Sequence, residues 1–300
     1  MYTFLPSLLI VQAIAWLASY PHHDNYSYSL NLVAFMSIGI QIAAFIPASG
    51  LLGNPPTEKY YDATGAVTYA SLVFLCIYCR GGWSLMSLRQ KILSACVLIW
   101  CTRLGYFLYS RIRRHGGVDF RFAKVKSNFN RFATFWGVQG VWVFLTALPV
   151  YIVNDSVDSG PNSLTPRDYM GLSLWVLGFL IESIADYQKM VFSSRKENKW
   201  TKKYITTGLW SVSRHPNYFG EICLWIGVLV CASSSFTRPA HWLCVVSPVF
   251  VAFLLIFVSG IPLLEKSANE KFRDDPAYQA YKARVPVLIP FVGRKGDAAF

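Results

Sequence analysis

"GLWSVSRHPNYFGEICLWIGVLVCASSSF", residues 208–236, starts polar and ends apolar. Arg214, His215, Asn217 and Glu221 fall within eight residues, at the mouth of a run suited to a membrane helix. Roughly 20 apolar residues cross a bilayer. Each ionisable group carried into one costs on the order of 2.5–3.5 kcal/mol, so such a cluster marks a site. Pro216 suits the first turn of a helix, which places the helix start there. Asn217, Glu221 and Trp225 then stack at i, i+4 and i+8, with Tyr218 beside them. Free amides and a partial positive charge at the helix start, preceded by Arg214 and His215, suit phosphate groups. The Gly208 turn, Ser211 and Ser213 add backbone room and hydroxyl donors. An interfacial cap with a snorkelling arginine is the plainer account, but it leaves Asn217, Glu221 and Trp225 without a task.

The same pattern extends outward from this stretch. The 300 residues are 54% hydrophobic, 16% aromatic and 15% charged, against about 25% charged in soluble proteins. Eight apolar segments are candidate spans: 4–20, 30–52, 64–80, 92–110, 132–153, 168–192, 217–236 and 240–264. The first lacks the basic flank and cleavage site of a signal peptide and reads as a retained span. Connecting loops are short, and lipid cannot satisfy free backbone groups. The fold expected is therefore all-α, a polytopic membrane bundle of about seven to eight helices. Residues 1–53 would form an N-terminal hairpin and 54–300 the main domain.

The formal charge of +12 is concentrated in 111–131, 195–214 and 266–295. The positive-inside rule puts these stretches, and both termini, on the cytosolic side. Flanking charge explains the basic balance, so no nucleic-acid partner is implied. Arg80, Arg89 and Lys91 run against the scheme. Two N-x-S/T sequons, at Asn25 and Asn154, fall in loops expected to be lumenal. All seven cysteines lie in apolar segments. They read as small buried side chains, with no metal site and no disulfide framework.

Two further polar groups lie inside spans. Arg103, Phe107 and Arg111 share one helical face, as an ion pair to a neighbouring carboxylate or as a contact to an anionic ligand. Glu182, Asp186 and Lys189 share another and must face a bundle or a watered cavity. A simple Asp186–Lys189 pair is the plainer reading of the second group.

With these residues in view, "NKWTKKYITTGLWSVSRHPNYFGEICLWIG" resembles the steroid 5-alpha-reductase-like membrane proteins, in the subgroup catalogued as DUF1295. That group is related to sterol C14-reductases and isoprenylcysteine carboxyl methyltransferases. The resemblance continues through "LGFLIESIADYQKMVF", "LIWCTRLGYFLYSRI", "KYYDATGAVTYA" and "AYQAYKARVPVLIPF". It implies a C-terminal helical bundle enclosing NADPH at the cytosolic side. The matching cofactor positions are Asp186, Asn217, Tyr218 and Glu221, with Arg214 and His215 near the phosphates; Arg103 and Lys189, singled out by their place inside spans, are added as further cofactor contacts. Glu265 and Tyr281 fall where the family's C-terminal contacts lie.

The reaction so implied is reduction of a C=C bond in a steroid-like, polyprenoid or enoyl-lipid substrate. A nearby acid would hydrogen-bond the substrate oxygen as charge develops. Tyr61 with Asp62 is the first nomination for that acid, and Tyr218 the second. The rival readings are a membrane methyltransferase using S-adenosylmethionine, which shares the R-H-P-x-Y turn, and a non-catalytic lipid-binding protein. The endoplasmic reticulum is the expected membrane.

Overall fold

Long apolar stretches become helices because each helix satisfies its own backbone groups. The computed structural model describes residues 2–19, 28–114, 119, 122–156, 163–195 and 203–292. Among them the chain is helical throughout, with no strand. In order come α1 (Leu5–Ser19), α2 (Tyr28–Ala48), α3 (Tyr61–Cys79), α4 (Leu88–Arg114), α5 (Phe129–Thr146) and α6 (Leu148–Asp155). These are followed by α7 (Pro166–Ser194), α8 (Pro216–Ala232), α9 (Val246–Phe253), α10 (Ile261–Phe272) and α11 (Pro276–Arg284).

Among the described residues six segments are long and apolar enough to cross a membrane: Ser29–Ala48, Tyr61–Cys79, Leu88–Arg113, Pro166–Ser194, Pro216–Ser235 and Pro239–Phe272. The chain is thus a polytopic helical membrane protein. Two expected spans differ from the sequence reading. The first is a helix of only 15 residues, short of a full crossing. The fifth is broken: α5 and α6 meet at a 57° bend, and they make a seventh span only if taken together. Pro149 sits in the first turn of α6 and cannot donate to the turn before it. The Ser247 hydroxyl donates instead to the Thr146 carbonyl, at 2.5 Å.

The chain divides into two units. The first comprises Met1–Tyr169 and Leu229–Ser247, and the second Met170–Val228 and Pro248–Phe300. The boundary expected at residue 53 falls inside the first unit.

In the first unit α2 packs against α1, α3 and α5, and α3 packs along α4. Phe45 meets Phe4, Phe129 and Phe132 edge-on, and Tyr69 meets Trp100 and Trp142 the same way. Part of the aromatic content thus serves helix packing. Buried amides bind the helices to one another. Gln41 donates to Thr68 Oγ1 at 2.9 Å, and Gln90 to the Val153 carbonyl at 2.8 Å.

Arg89, out of place under the positive-inside rule, is an internal ion partner. Its guanidinium donates through Nε and Nη2 to the two Asp168 carboxylate oxygens, at 2.7 and 2.8 Å, and both side chains are fully buried. Asp168 also accepts from the Thr165 amide and hydroxyl. Asn154 is buried, and its amide donates to Ser94 Oγ at 3.0 Å. The expected glycan acceptor is therefore a packing residue in α6. The Asn25 sequon lies outside the described residues. Six cysteines are buried, and Cys79 is exposed, against expectation.

In the second unit α7 and α8 are in backbone contact. A methyl group on Gly220 would lie 2.6 Å from the Glu182 amide and 2.6 Å from the Gly178 carbonyl oxygen. One on Gly227 would lie 2.6 Å from the Gly171 carbonyl oxygen. Small residues therefore recur two turns apart on both helices, as close packing without side chains requires. This seam brings the Glu182–Lys189 face of α7 towards the start of α8.

Candidate functional site

Pro216 opens α8 as expected. The His215 carbonyl takes the first intrahelical bond, from the Phe219 amide. The segment before it is held by α7. Gly208 has φ +65° and no room for a side chain, because Gln188 fills that space. Gln188 Oε1 accepts from the Leu209 amide at 3.0 Å, and Trp210 Nε1 donates to the Ala185 carbonyl at 3.1 Å. Gln188 was not singled out in the sequence, although it lies in the A-D-Y-Q-K run between Asp186 and Lys189.

Ser211 and Ser213 are not free donors. Ser211 Oγ donates to the Gly208 carbonyl at 2.7 Å, and Ser213 Oγ to the Leu288 carbonyl at 2.7 Å. Serine hydroxyls readily satisfy nearby backbone carbonyls, and here both do so.

The centre of the site joins residues fifty positions apart. α9 runs into a π turn at Leu254–Val258, and the chain restarts after Gly260 as α10. That break places Glu265 against the start of α8. Arg214 Nη1 donates to Glu265 Oε2 at 2.6 Å, and His215 Nε2 lies 2.9 Å from Glu265 Oε1. The Tyr218 ring stacks on His215, with centroids 5.6 Å apart and planes at 7°. Asn217 Nδ2 donates to Asp186 Oδ1 at 3.2 Å. Lys189 Nζ sits 4.9 Å from the centre of the Trp210 ring. Glu182 and Asp186 are buried on the same α7 face, and Glu221 is half-buried in α8.

Burial pushes the His215 imidazole below its ordinary value, and the Lys189 and Arg214 charges add to this. The Glu265 hydrogen bond opposes the shift without reversing it. His215 is therefore neutral at neutral pH. Beside Arg214 it is a neutral hydrogen-bonding ring. With Nε2–H donated to Glu265, Nδ1 is an acceptor.

Three buried atoms here have no hydrogen-bond partner among the described residues: Arg214 Nε, His215 Nδ1 and Asn217 Oδ1. Buried polar atoms are nearly always paired. Three orphans within four residues, each on a side chain otherwise held by a carboxylate, leave hydrogen-bonding capacity that the described residues do not use. They comprise one charged donor and two acceptors.

Tyr281 is buried, and its hydroxyl donates to the Trp210 carbonyl at 2.8 Å. Burial pushes its phenol well up. It fastens α11 to the turn before α8, in a cluster with Tyr204, Tyr278 and Phe272. Its position suits packing of the site wall.

Tyr61, Asp62 and Arg103 belong to the first unit. The Tyr61 hydroxyl donates to the Phe135 carbonyl at 2.9 Å, and its ring packs on Phe122 and Trp136. Asp62 receives Arg111 Nη2 at 3.2 Å. Arg111, expected on a stripe with Arg103, thus forms an ion pair with a neighbouring carboxylate. Arg103 is half-buried on α4. Nearby, Glu58 is buried and accepts from Lys126 Nζ and from the Asp119 amide.

The family profile described as "Protein of unknown function (DUF1295)" matches residues 56–285, which include all of these positions. An uncharacterized protein of Schizosaccharomyces pombe is 22% identical over 233 residues. That alignment covers 70% of this chain and 65% of the yeast protein, so the chain spans just under two thirds of its relative. No solved structure matches.

Proposed function

The chain belongs to the DUF1295 family, and from that premise we propose that it is a membrane-embedded NADPH-dependent reductase of a C=C bond in a lipophilic substrate. The observation that carries this reading is the set of unpartnered buried atoms on Arg214, His215 and Asn217. A dinucleotide offers phosphates, ribose hydroxyls and a carboxamide. A charged donor beside two acceptors at a helix start fits such a mixed ligand. Arg214 and Lys189 would hold phosphate, while His215 Nδ1 and Asn217 Oδ1 would accept from hydroxyl or amide groups. Bound there, NADPH would supply a hydride.

The chain's own residues would do the rest. Glu265 and Asp186 fix the rotamers of Arg214, His215 and Asn217 before any ligand arrives, so little ordering is left to the binding step. Tyr218, held flat against neutral His215, carries the acid role, hydrogen-bonding the substrate oxygen as charge grows. Tyr218 belongs to the same unit as Arg214, His215 and Asn217, whereas Tyr61 and Asp62 belong to the first, which favours Tyr218 for this task. The endoplasmic reticulum is the membrane proposed, on topology and substrate class.

A second reading has one observation in its favour. Glu265 sits between the Arg214 guanidinium and the neutral His215 ring, so the site carries a carboxylate of its own. A carboxylate there suits the sulfonium and ammonium of S-adenosylmethionine, and hence methyl transfer.

Calorimetry on the detergent-purified full chain separates the two. NADPH binding in the micromolar range or tighter, without S-adenosylmethionine binding, is expected; the reverse result moves the assignment to methyl transfer. Lipid extracts from cells with and without the gene should then show one species gaining two hydrogens.

A further inference from the structure

The last described residues of the second unit form an unusual surface. After α11 the chain leaves as an irregular strap of bends closed by a turn at its end, "VPVLIPFV", residues 285–292. Two bonds pin it to the start of α8. The Arg214 amide donates to the Pro286 carbonyl at 2.9 Å, and Ser213 Oγ donates to the Leu288 carbonyl. Beneath it lies a groove of about 520 Å³, a size typical of ligand sites. Val285, Val287, Ile289 and Val292 supply its apolar lining, and Arg214 and Lys282 its charge. None of the described lining residues is acidic.

Three observations narrow the occupant. The first is charge. Glu265 neutralises Arg214, while Lys282 Nζ donates to the Asn269 amide oxygen at 2.6 Å, lies over the Tyr278 ring and has no carboxylate partner among the described residues. One cation is left over, which matches a single negative charge better than a phosphomonoester or pyrophosphate. The second is exposure. Ile289 is 50% exposed, Phe291 66% and Val292 61%, a run of apolar surface beside the groove that water would disfavour. The third is strain. Phe291 has φ +66° and is the one non-glycine residue in the left-handed region among the described residues. A bulky residue held there without burial suggests a stabilising partner outside the protein. α11 and the strap follow the last apolar segment, which ends at Phe272.

We propose that this groove binds an acidic phospholipid. Lys282 faces the singly charged phosphodiester, and the strap's valines and Ile289 receive the first acyl carbons. The inference does not rest on the reductase reading and holds for either cofactor.

The test uses the full chain reconstituted in phosphatidylcholine bilayers containing a minor fraction of phosphatidylglycerol, then re-extracted in detergent for quantification of retained lipid. Wild type should retain phosphatidylglycerol in preference to phosphatidylcholine. One basic residue at an anionic surface is worth about fivefold, so Lys282→Gln should lose about that much of the preference and Lys282→Arg should keep it. Ile289→Ser should lower retention of both lipids at this site. Thermal midpoints and cofactor calorimetry of the variants report folding separately. Equal retention of the two lipids by wild type, or unchanged preference in Lys282→Gln, overturns the proposal. So does full displacement by millimolar inorganic phosphate, which would mark a soluble-anion site, or by NADPH, which would assign the groove to the cofactor.

Discussion

Each unit of this protein contains an arginine–carboxylate pair, and Arg89–Asp168 and Arg214–Glu265 are built differently. In the first unit Arg89 and Asp168 are fully enclosed, bonded through both carboxylate oxygens, and backed by the Thr165 amide and hydroxyl. In the second unit Arg214 and Glu265 are 11% and 20% exposed, share His215, and leave Arg214 Nε and His215 Nδ1 unpaired. A pair whose capacity is used up internally has nothing to offer a ligand, and its effect falls on the fold. A pair left open keeps donors and acceptors that a ligand can complete. Inside a bilayer both arrangements look alike in sequence, because each is simply a charge where lipid should be.

Four experiments would break or sharpen this contrast. The largest effect is expected from Asp168→Ala, which strands a buried guanidinium. The loss should be about 3–5 kcal/mol, read as a fall in thermal midpoint in detergent, with cofactor affinity unchanged in whatever remains folded. Gly220→Val should follow at about 1–3 kcal/mol, since the added carbons meet backbone rather than movable side chains.

Glu265→Gln should cost less stability than either and act on binding. Freeing Arg214 should strengthen the binding of an anionic cofactor on the order of tenfold, whereas a cationic one should weaken. If Glu265→Gln destabilises as much as Asp168→Ala and leaves cofactor binding untouched, the distinction between the two pairs is lost.

The smallest effect concerns pH. His215 is held below its ordinary value of 6.5, so the folded state binds fewer protons than the unfolded one just below that pH. Its contribution is complete above 6.5 and is lost as pH falls through the depressed value. The thermal midpoint of wild type should therefore drop more steeply below pH 6.5 than that of His215→Gln.

The helical membrane architecture was legible because apolar length alone forces it. The polar start of α8 was legible for the converse reason, that such residues have no place there unless used. Glu265 came only through family resemblance. Nothing in residues 208–225 specifies a partner delivered by a π turn and a chain break fifty residues later. The bend at Pro149 escaped hydropathy, which averages over a break without seeing it. Asn154 and Arg89 were misassigned to loop duties because a sequon and a topological charge are defined by neighbours in the chain, whereas burial is decided by neighbours in space. Ser211 and Ser213 looked like spare donors until the carbonyls they serve, one of them at Leu288, were in place.

The glycine seam between α7 and α8 has a consequence for how this family can vary. With backbone lying on backbone, no side chain can flex to absorb a change of phase. One residue inserted between Gly178 and Asp186 would turn everything after it by about 100° around the helix axis. Asp186 would swing away from Asn217, and Gln188 away from the Gly208 turn. Relatives with a working pocket should therefore differ in length almost anywhere except along the seven residues between Gly178 and Asp186.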